Sequence, residues 1–159
     1  IAQQSYQKLE ELQKTFKDSE SNKYWINQIE IQKKVVKAWE LFAQNEMEKS
    51  LMMMISAADL EDASEKNPVT PGQLLPAREM LGDLLLEMNK PKEALKQYEL
   101  TLEINPNRLN ALYGAGKSAE LIGDKEKAVF YFTALLKNKK STEPNNERIA
   151  HAVEVTTKI

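Results

Sequence analysis

The chain has 159 residues, a formal net charge of -2, 42% hydrophobic and 29% charged residues. That mixture is too apolar for a disordered segment and long enough for one core or a short array of repeats. With 0 Cys and 1 His, disulfides, thiolate metal sites, iron-sulfur clusters and cysteine nucleophiles are excluded, and a Ser/His/Asp triad has one candidate base.

The charge balance and the lack of a basic stripe argue against nucleic-acid binding. The longest basic cluster, Lys137 to Lys140 interrupted by Asn138, falls at a predicted helix end, where cations meet the helix dipole favourably. No stretch approaches the roughly 20 apolar residues of a membrane span. The polar, amphipathic start at Ile1 is unlike a signal sequence and lacks Met, which suggests a processed form or a fragment. A soluble protein of the cytoplasm or periplasm is expected, with the compartment left open.

The 5 Gly and 6 Pro all lie between Pro68 and Pro144, so long helices are predicted before them. Residues 2 to 17 carry Tyr6, Leu9, Leu12 and Phe16 at helical spacing. After a break at DSESN, with Ser19 or Ser21 as cap, a second helix over 22 to 43 carries Trp25, Ile29, Val35, Val36, Trp39 and Phe42. A third runs from Glu46 to Asp62; its LMMMISAADL run is apolar on nearly every side and needs burial on two faces or a partner. Pro68, Pro71 and Gly72 mark residues 65–74 as a connector. Helices follow over 74–88, 91–104, 108–122, 125–137 and 144–158, with Pro91 and Pro106 at or just before helix starts. The fold is therefore all-α, with about 8 helices.

Residues 75–108 and 109–142 align at a period of 34 without a gap. Gly82 falls on Gly116, Ala94 on Ala128, Tyr98 on Phe132 and Leu102 on Leu136. Small residues let two helices cross closely, and the aromatic rings fill the wider space beside them. Stepping back by 44 aligns Ala38, Asn45, Ser50 and Met54 with Gly82, Asn89, Ala94 and Tyr98, as for a diverged repeat over 31–64 followed by about ten extra connector residues. Residues 1–30 form a separate N-terminal helical region, and 143–159 read as a capping helix, with Ile149, Ala150 and Val153 on the phase of a first helix.

A glycine at place eight, an alanine at twenty, an aromatic at twenty-four and Pro106 near the repeat's end resemble the tetratricopeptide repeat family. The stretch DLEDASEKNPVTPGQLLPARE resembles a connector in a subgroup of bacterial members. The resemblance implies an alpha-alpha superhelix of antiparallel helix pairs and a concave face lined by the first helix of each repeat.

Three patterns compete for chemistry. The segment GAGKS, Gly114 to Ser118, imitates a phosphate-binding loop, but Ala111 stands where the first glycine is needed and the segment lies inside a helix. His151, with Glu147 and Glu154 on its own helix, could hold a metal weakly, yet an exposed ion pair explains it as well. Asp59, Glu61, Asp62 and Glu65 border the connector without the glycine of a calcium loop and read as a solvated face or a helix-end cap. No catalytic residue, metal ligand or cofactor is assigned.

Carried over by position, the groove residues implied by the resemblance are Trp39, Phe42, Glu79, Asp83, Glu87, Tyr113, Lys117 and Glu120. The groove is apolar at one end and acidic further on, which favours a basic and apolar peptide or protein and disfavours a carboxylate clamp. The leading reading is a non-catalytic protein-interaction scaffold. The alternatives are a helical accessory part of a larger enzyme and a homodimerisation module.

Overall fold

The computed structural model describes residues 2–16, 20–64, 73, 75–138 and 146–158. Eight helices lie among them: α1 (Ala2–Thr15), α2 (Glu20–Ala43), α3 (Met47–Asp62), α4 (Ala77–Glu87), α5 (Pro91–Ile104), α6 (Leu109–Leu121), α7 (Lys125–Lys137) and α8 (Glu147–Thr157). No strand occurs among the described residues. The chain divides into two compact units, Ile1–Leu84 and Leu85–Ile159.

Local chemistry sets several of the ends. Pro91 opens α5, where its missing amide hydrogen has no helical partner to lose. Asp124 caps α7 by accepting from the Lys127 amide at 3.0 Å, and Asn146 caps α8 by accepting from the Arg148 amide at 3.0 Å. The predicted cap Ser19 lies outside the described residues. So do residues 65–72 and 74 of the connector, with Pro68, Pro71 and Gly72, and Lys139 and Lys140 of the basic cluster.

Three helices end in the same turn. Asn45, Asn89 and Gly123 have φ of 62°, 54° and 81°, in the left-handed region. After α2, the Asn45 amide donates to Phe42 and the Glu46 amide to Leu41; after α4, Asn89 donates to Leu86 and Lys90 to Leu85; after α6, Gly123 donates to Glu120 and Asp124 to Ala119. Each pair of bonds is the Schellman closure, which satisfies carbonyls left unpaired at a helix end. The next helix starts two residues later each time, at Met47, Pro91 and Lys125.

In the first unit α2 packs against both α1 and α3. This changes the stripe predicted for α2: Ile31, Ala38 and Leu41 are buried along with Ile29 and Val35, whereas Trp25 is 46% exposed. A helix covered from two sides buries more than one stripe. Ser50 of α3, wholly buried, donates its hydroxyl to the Ala38 carbonyl at 2.8 Å, so α2 and α3 meet at a small-residue pair. The LMMMISAADL helix is covered on one side: Met54, Ala57 and Ala58 are buried, while Met52 and Ile55 remain exposed.

The acidic run beyond it has a structural task. Buried Glu61 accepts from the Ala77 amide at 2.6 Å, placing a carboxylate at the α4 N-terminus. Arg78 donates to Asp62 at 2.7 Å and to Asp59 at 3.1 Å. These bonds tie the end of α3 to the start of α4 on either side of the connector. Burial works against the Arg78 charge, but the bonds and charges of Asp62 and Asp59 outweigh it and raise its pKa.

In the second unit α5 packs on α6, α6 on α7 and α7 on α8. Tyr98 and Phe132 are wholly buried. A methyl group on Gly114 would lie 2.3 Å from Tyr98 Cζ, and one on Gly116 would lie 2.6 Å from Phe132 Cε1. The two glycines of GAGKS therefore admit one ring from α5 and one from α7. The rings press on the glycines themselves rather than filling space beside them. Glu99 of α5 joins Lys127 at 2.7 Å and Tyr131 at 2.9 Å on α7.

Candidate peptide-binding surface

In the first unit, the 3.6-residue period brings Trp39 and Phe42 together on α2, with ring centroids 5.8 Å apart, edge to face. Both are half-buried, and the Trp39 indole Nε1 is buried with no hydrogen-bond partner among the described residues. Asp83 on α4 is half-buried. Glu79 is 0% exposed and cannot meet a ligand without rearrangement.

In the second unit, Glu87 is exposed at the end of α4. The α6 residues Tyr113, Lys117 and Glu120 lie at helical spacing and form a connected polar cluster with α8. Lys117 donates to Glu120 at 3.0 Å, the Tyr113 hydroxyl lies 3.3 Å from His151 Nδ1, and His151 Nε2 lies 3.2 Å from Glu120. The imidazole stands edge-on to Tyr113 at 5.9 Å and to Phe132 at 5.3 Å between centroids. Arg148 lies 5.2 Å from the Tyr113 ring centroid and donates to Asn110.

The electrostatics of this cluster are those of a paired structural group. Burial raises the Glu120 pKa, but the Lys117 bond and the charges of Lys117 and His151 outweigh it and hold the carboxyl below its usual range. The sequence pointed to Glu147 and Glu154 as neighbours of His151; the geometry gives it Glu120 and Tyr113 on α6. A pairing 31 residues apart leaves no trace in i,i+3 or i,i+4 spacing, and only the repeat phase could have suggested it. Among the described residues, no group of three or more His, Cys, Asp or Glu is placed to hold a metal ion, and no helix is long and apolar enough to cross a membrane.

The residues thus fall into sets: Trp39 with Phe42 on α2; Glu79, Asp83 and Glu87 along α4; and Tyr113, Lys117 and Glu120 on α6, where Tyr113 and Glu120 meet His151 of α8. A cavity of about 370 Å³ opens beside the last set, between Glu120, Lys125, Ala128, His151, Glu154 and Val155.

Paired helices closed by one repeated turn, with aromatic rings seated on glycines, define a helical-repeat protein, and the chain has a tetratricopeptide-like repeat fold. Residues 75–108 match the tetratricopeptide repeat family. PcrH from Pseudomonas aeruginosa is similar in structure, with a TM-score of 0.61 and 10% identity over 80% of this chain and 89% of its own. The C-terminal TPR-containing domain of a Plasmodium falciparum FK506-binding protein gives 0.60 and 19% identity, over 83% of this chain and 91% of its own. The P58(IPK) TPR domain gives 0.58 and 16%, covering 99% of this chain and 42% of its own. At these identities the likeness is one of fold. No curated protein matches the sequence.

Proposed function

We propose that the chain is a non-catalytic interaction module that binds a peptide or protein partner on the faces of its first helices. The observation that carries this reading is the recurrent closure at Asn45, Asn89 and Gly123, which gives α2, α4 and α6 equivalent ends. On this reading 31–64 is a diverged repeat, 75–108 and 109–142 are full repeats, and α8 caps the array. Preorganised side chains on helices bind without bond-making.

The partner is basic and apolar. Trp39 and Phe42 offer a half-buried aromatic platform to an apolar side chain, and Asp83 and Glu87 attract lysine or arginine. Glu79 is closed to solvent and is given no role in binding. Tyr113 and Glu120 are already engaged by His151 of α8, and Lys117 by Glu120, so the three contribute position more than free charge.

A random peptide library displayed on phage tests this directly. Peptides enriched on the protein should carry Lys or Arg near an aromatic or aliphatic residue. Asp83→Lys combined with Glu87→Lys should reduce their retention at least tenfold at unchanged helicity. Retention unaltered by that pair would remove the acidic face from the site, and enrichment of acidic peptides would overturn the assigned chemistry.

A further inference from the structure

We infer that Asn110 and Tyr113 of α6 form a subsite for an arginine side chain of the partner, and that Arg148 of α8 fills it in the unbound chain. The inference rests on the reading of the first-helix faces as the site of a basic and apolar peptide. Asn110 and Tyr113 stand three residues apart and so share one face of α6. Arg148 reaches both: its guanidinium donates to the Asn110 amide oxygen and lies over the Tyr113 ring, 5.2 Å from the centroid. The ring is fixed from two sides. Its hydroxyl lies 3.3 Å from His151 Nδ1, and Phe132 packs against it at 5.9 Å between centroids. A planar guanidinium stacks on such a face and aims its hydrogen bonds in its own plane, whereas an ammonium is a more strongly hydrated point charge. The subsite therefore selects arginine over lysine.

Stacking of the helices does not require Arg148. One period of 34 earlier the same place holds Gly114, buried under Tyr98, so a first helix packs there without any side chain. Buried Ile149 and Ala152 anchor α8 instead. Arg148 is exposed and has no carboxylate partner among the described residues. The contacts of an exposed cation with a ring and a neutral amide are weak, and turning this side chain into solvent leaves α8 docked. An arriving arginine restores the charge that the departing one takes away, so Lys117, Glu120 and His151 keep their electrostatic surroundings. Arg148 is thus an intramolecular competitor, and the apparent affinity for the partner is the intrinsic one reduced by the fraction of chains whose subsite is open.

The probe is N-acetylarginine amide, titrated into the full chain up to about 100 mM and followed by the Tyr113 ring resonances. In the wild-type chain the Tyr113 shifts should run in parallel with movement of the Arg148 Nε–H resonance to its solvent-exposed position. Arg148→Ala should tighten the probe about tenfold, as for a subsite open in about one chain in ten. N-acetyllysine amide should bind that variant at least about fivefold more weakly. Adding Asn110→Leu should cancel the gain. Unchanged affinity in Arg148→Ala, equal binding of the two probes, or Tyr113 shifts with Arg148 unmoved would each overturn the proposal. The wild-type titration keeps the test decisive should Arg148→Ala perturb α8. Loss of this subsite leaves the Asp83 and Glu87 outcome untouched, whereas probe binding that persists while the peptide library enriches acidic sequences would overturn the basic partner alone.

Discussion

Gly114→Ala should destabilise the protein, against the usual direction of a helical glycine-to-alanine change. In an unconstrained helix interior the added methyl stabilises by about 1 kcal/mol, because glycine loses more backbone freedom on folding. At Gly114 the methyl would lie 2.3, 2.5 and 2.7 Å from Cζ, Cε1 and Cε2 of Tyr98, against the 3.4 Å at which ordinary contact begins. The ring would have to retreat by about 1 Å inside a site where it is wholly buried, and overpacking of that kind costs about 1 to 3 kcal/mol. The balance is a net loss of up to about 2 kcal/mol once the helical gain is subtracted. The informative comparison is the same change in a Tyr98→Leu background, where the ring is gone and Gly114→Ala should become stabilising by up to about 1 kcal/mol. Urea denaturation of the four proteins gives the cycle from transition midpoints at a common slope. Stabilisation by Gly114→Ala in the native background, or a coupling below about 0.3 kcal/mol, would refute the close approach of Tyr98 as the reason for the glycine.

Two further outcomes follow from the turns and the α6-α8 cluster. Gly123→Ala meets no atom within 4 Å but forces an alanine to φ 81°, so it should cost about 1 kcal/mol in thermal or urea denaturation; Gly123→Asn should cost less, because Asn45 and Asn89 fill the same place. The folded-state pKa of Glu120 is lowered, so its stabilising contribution is present above the unfolded carboxylate pKa and is lost as pH falls through the folded value. Glu120→Gln should therefore flatten the loss of stability between about pH 5 and pH 3, and an unchanged acid limb would show that the Lys117 and His151 contacts do not hold the charged form.

The helices were legible because their signals are local. Apolar spacing, the prolines at helix starts and the absence of breakers before Pro68 placed every helix within three residues of its observed ends. The glycine of Gly116 was legible as a packing residue from its phase. Gly114 was not, since its partner Tyr98 belongs to the preceding helix and no repeat-place rule marks it. Tertiary context also decided the ionic groups. Glu61 reads in sequence as part of a solvated face or a helix-end cap; it is 6% exposed and accepts from the Ala77 amide at the start of α4, a partner across the connector that local spacing cannot show. Glu79 falls on a groove position by count but is closed to solvent, because a place in the repeat specifies direction along a helix and not what covers it.

What persists between α2-α3 and α6-α7 is a backbone requirement more than a side-chain pattern. At the helix crossing, the Gly116 and Ala128 positions of one hairpin correspond to Ala38 and Ser50 of the other, where a hydroxyl-carbonyl bond of 2.8 Å joins the two helices. The later aromatic place holds Phe132 in one and Met54 in the other, both wholly buried. Volume and polarity have changed at each of these places, and the packing has adjusted around them. The turn has not: Asn45 and Gly123 share a left-handed φ and the same two closing bonds. A left-handed residue is tolerated by Gly and Asn and resisted by most others, so few substitutions preserve the reversal that sets the next helix. Core places accept any combination that fills the space. Asn45 and Asn89 therefore mark the phase of the hairpins more reliably than the small and aromatic residues do. That explains why a spacing of 44, broken by a connector, still aligns the first hairpin with the next.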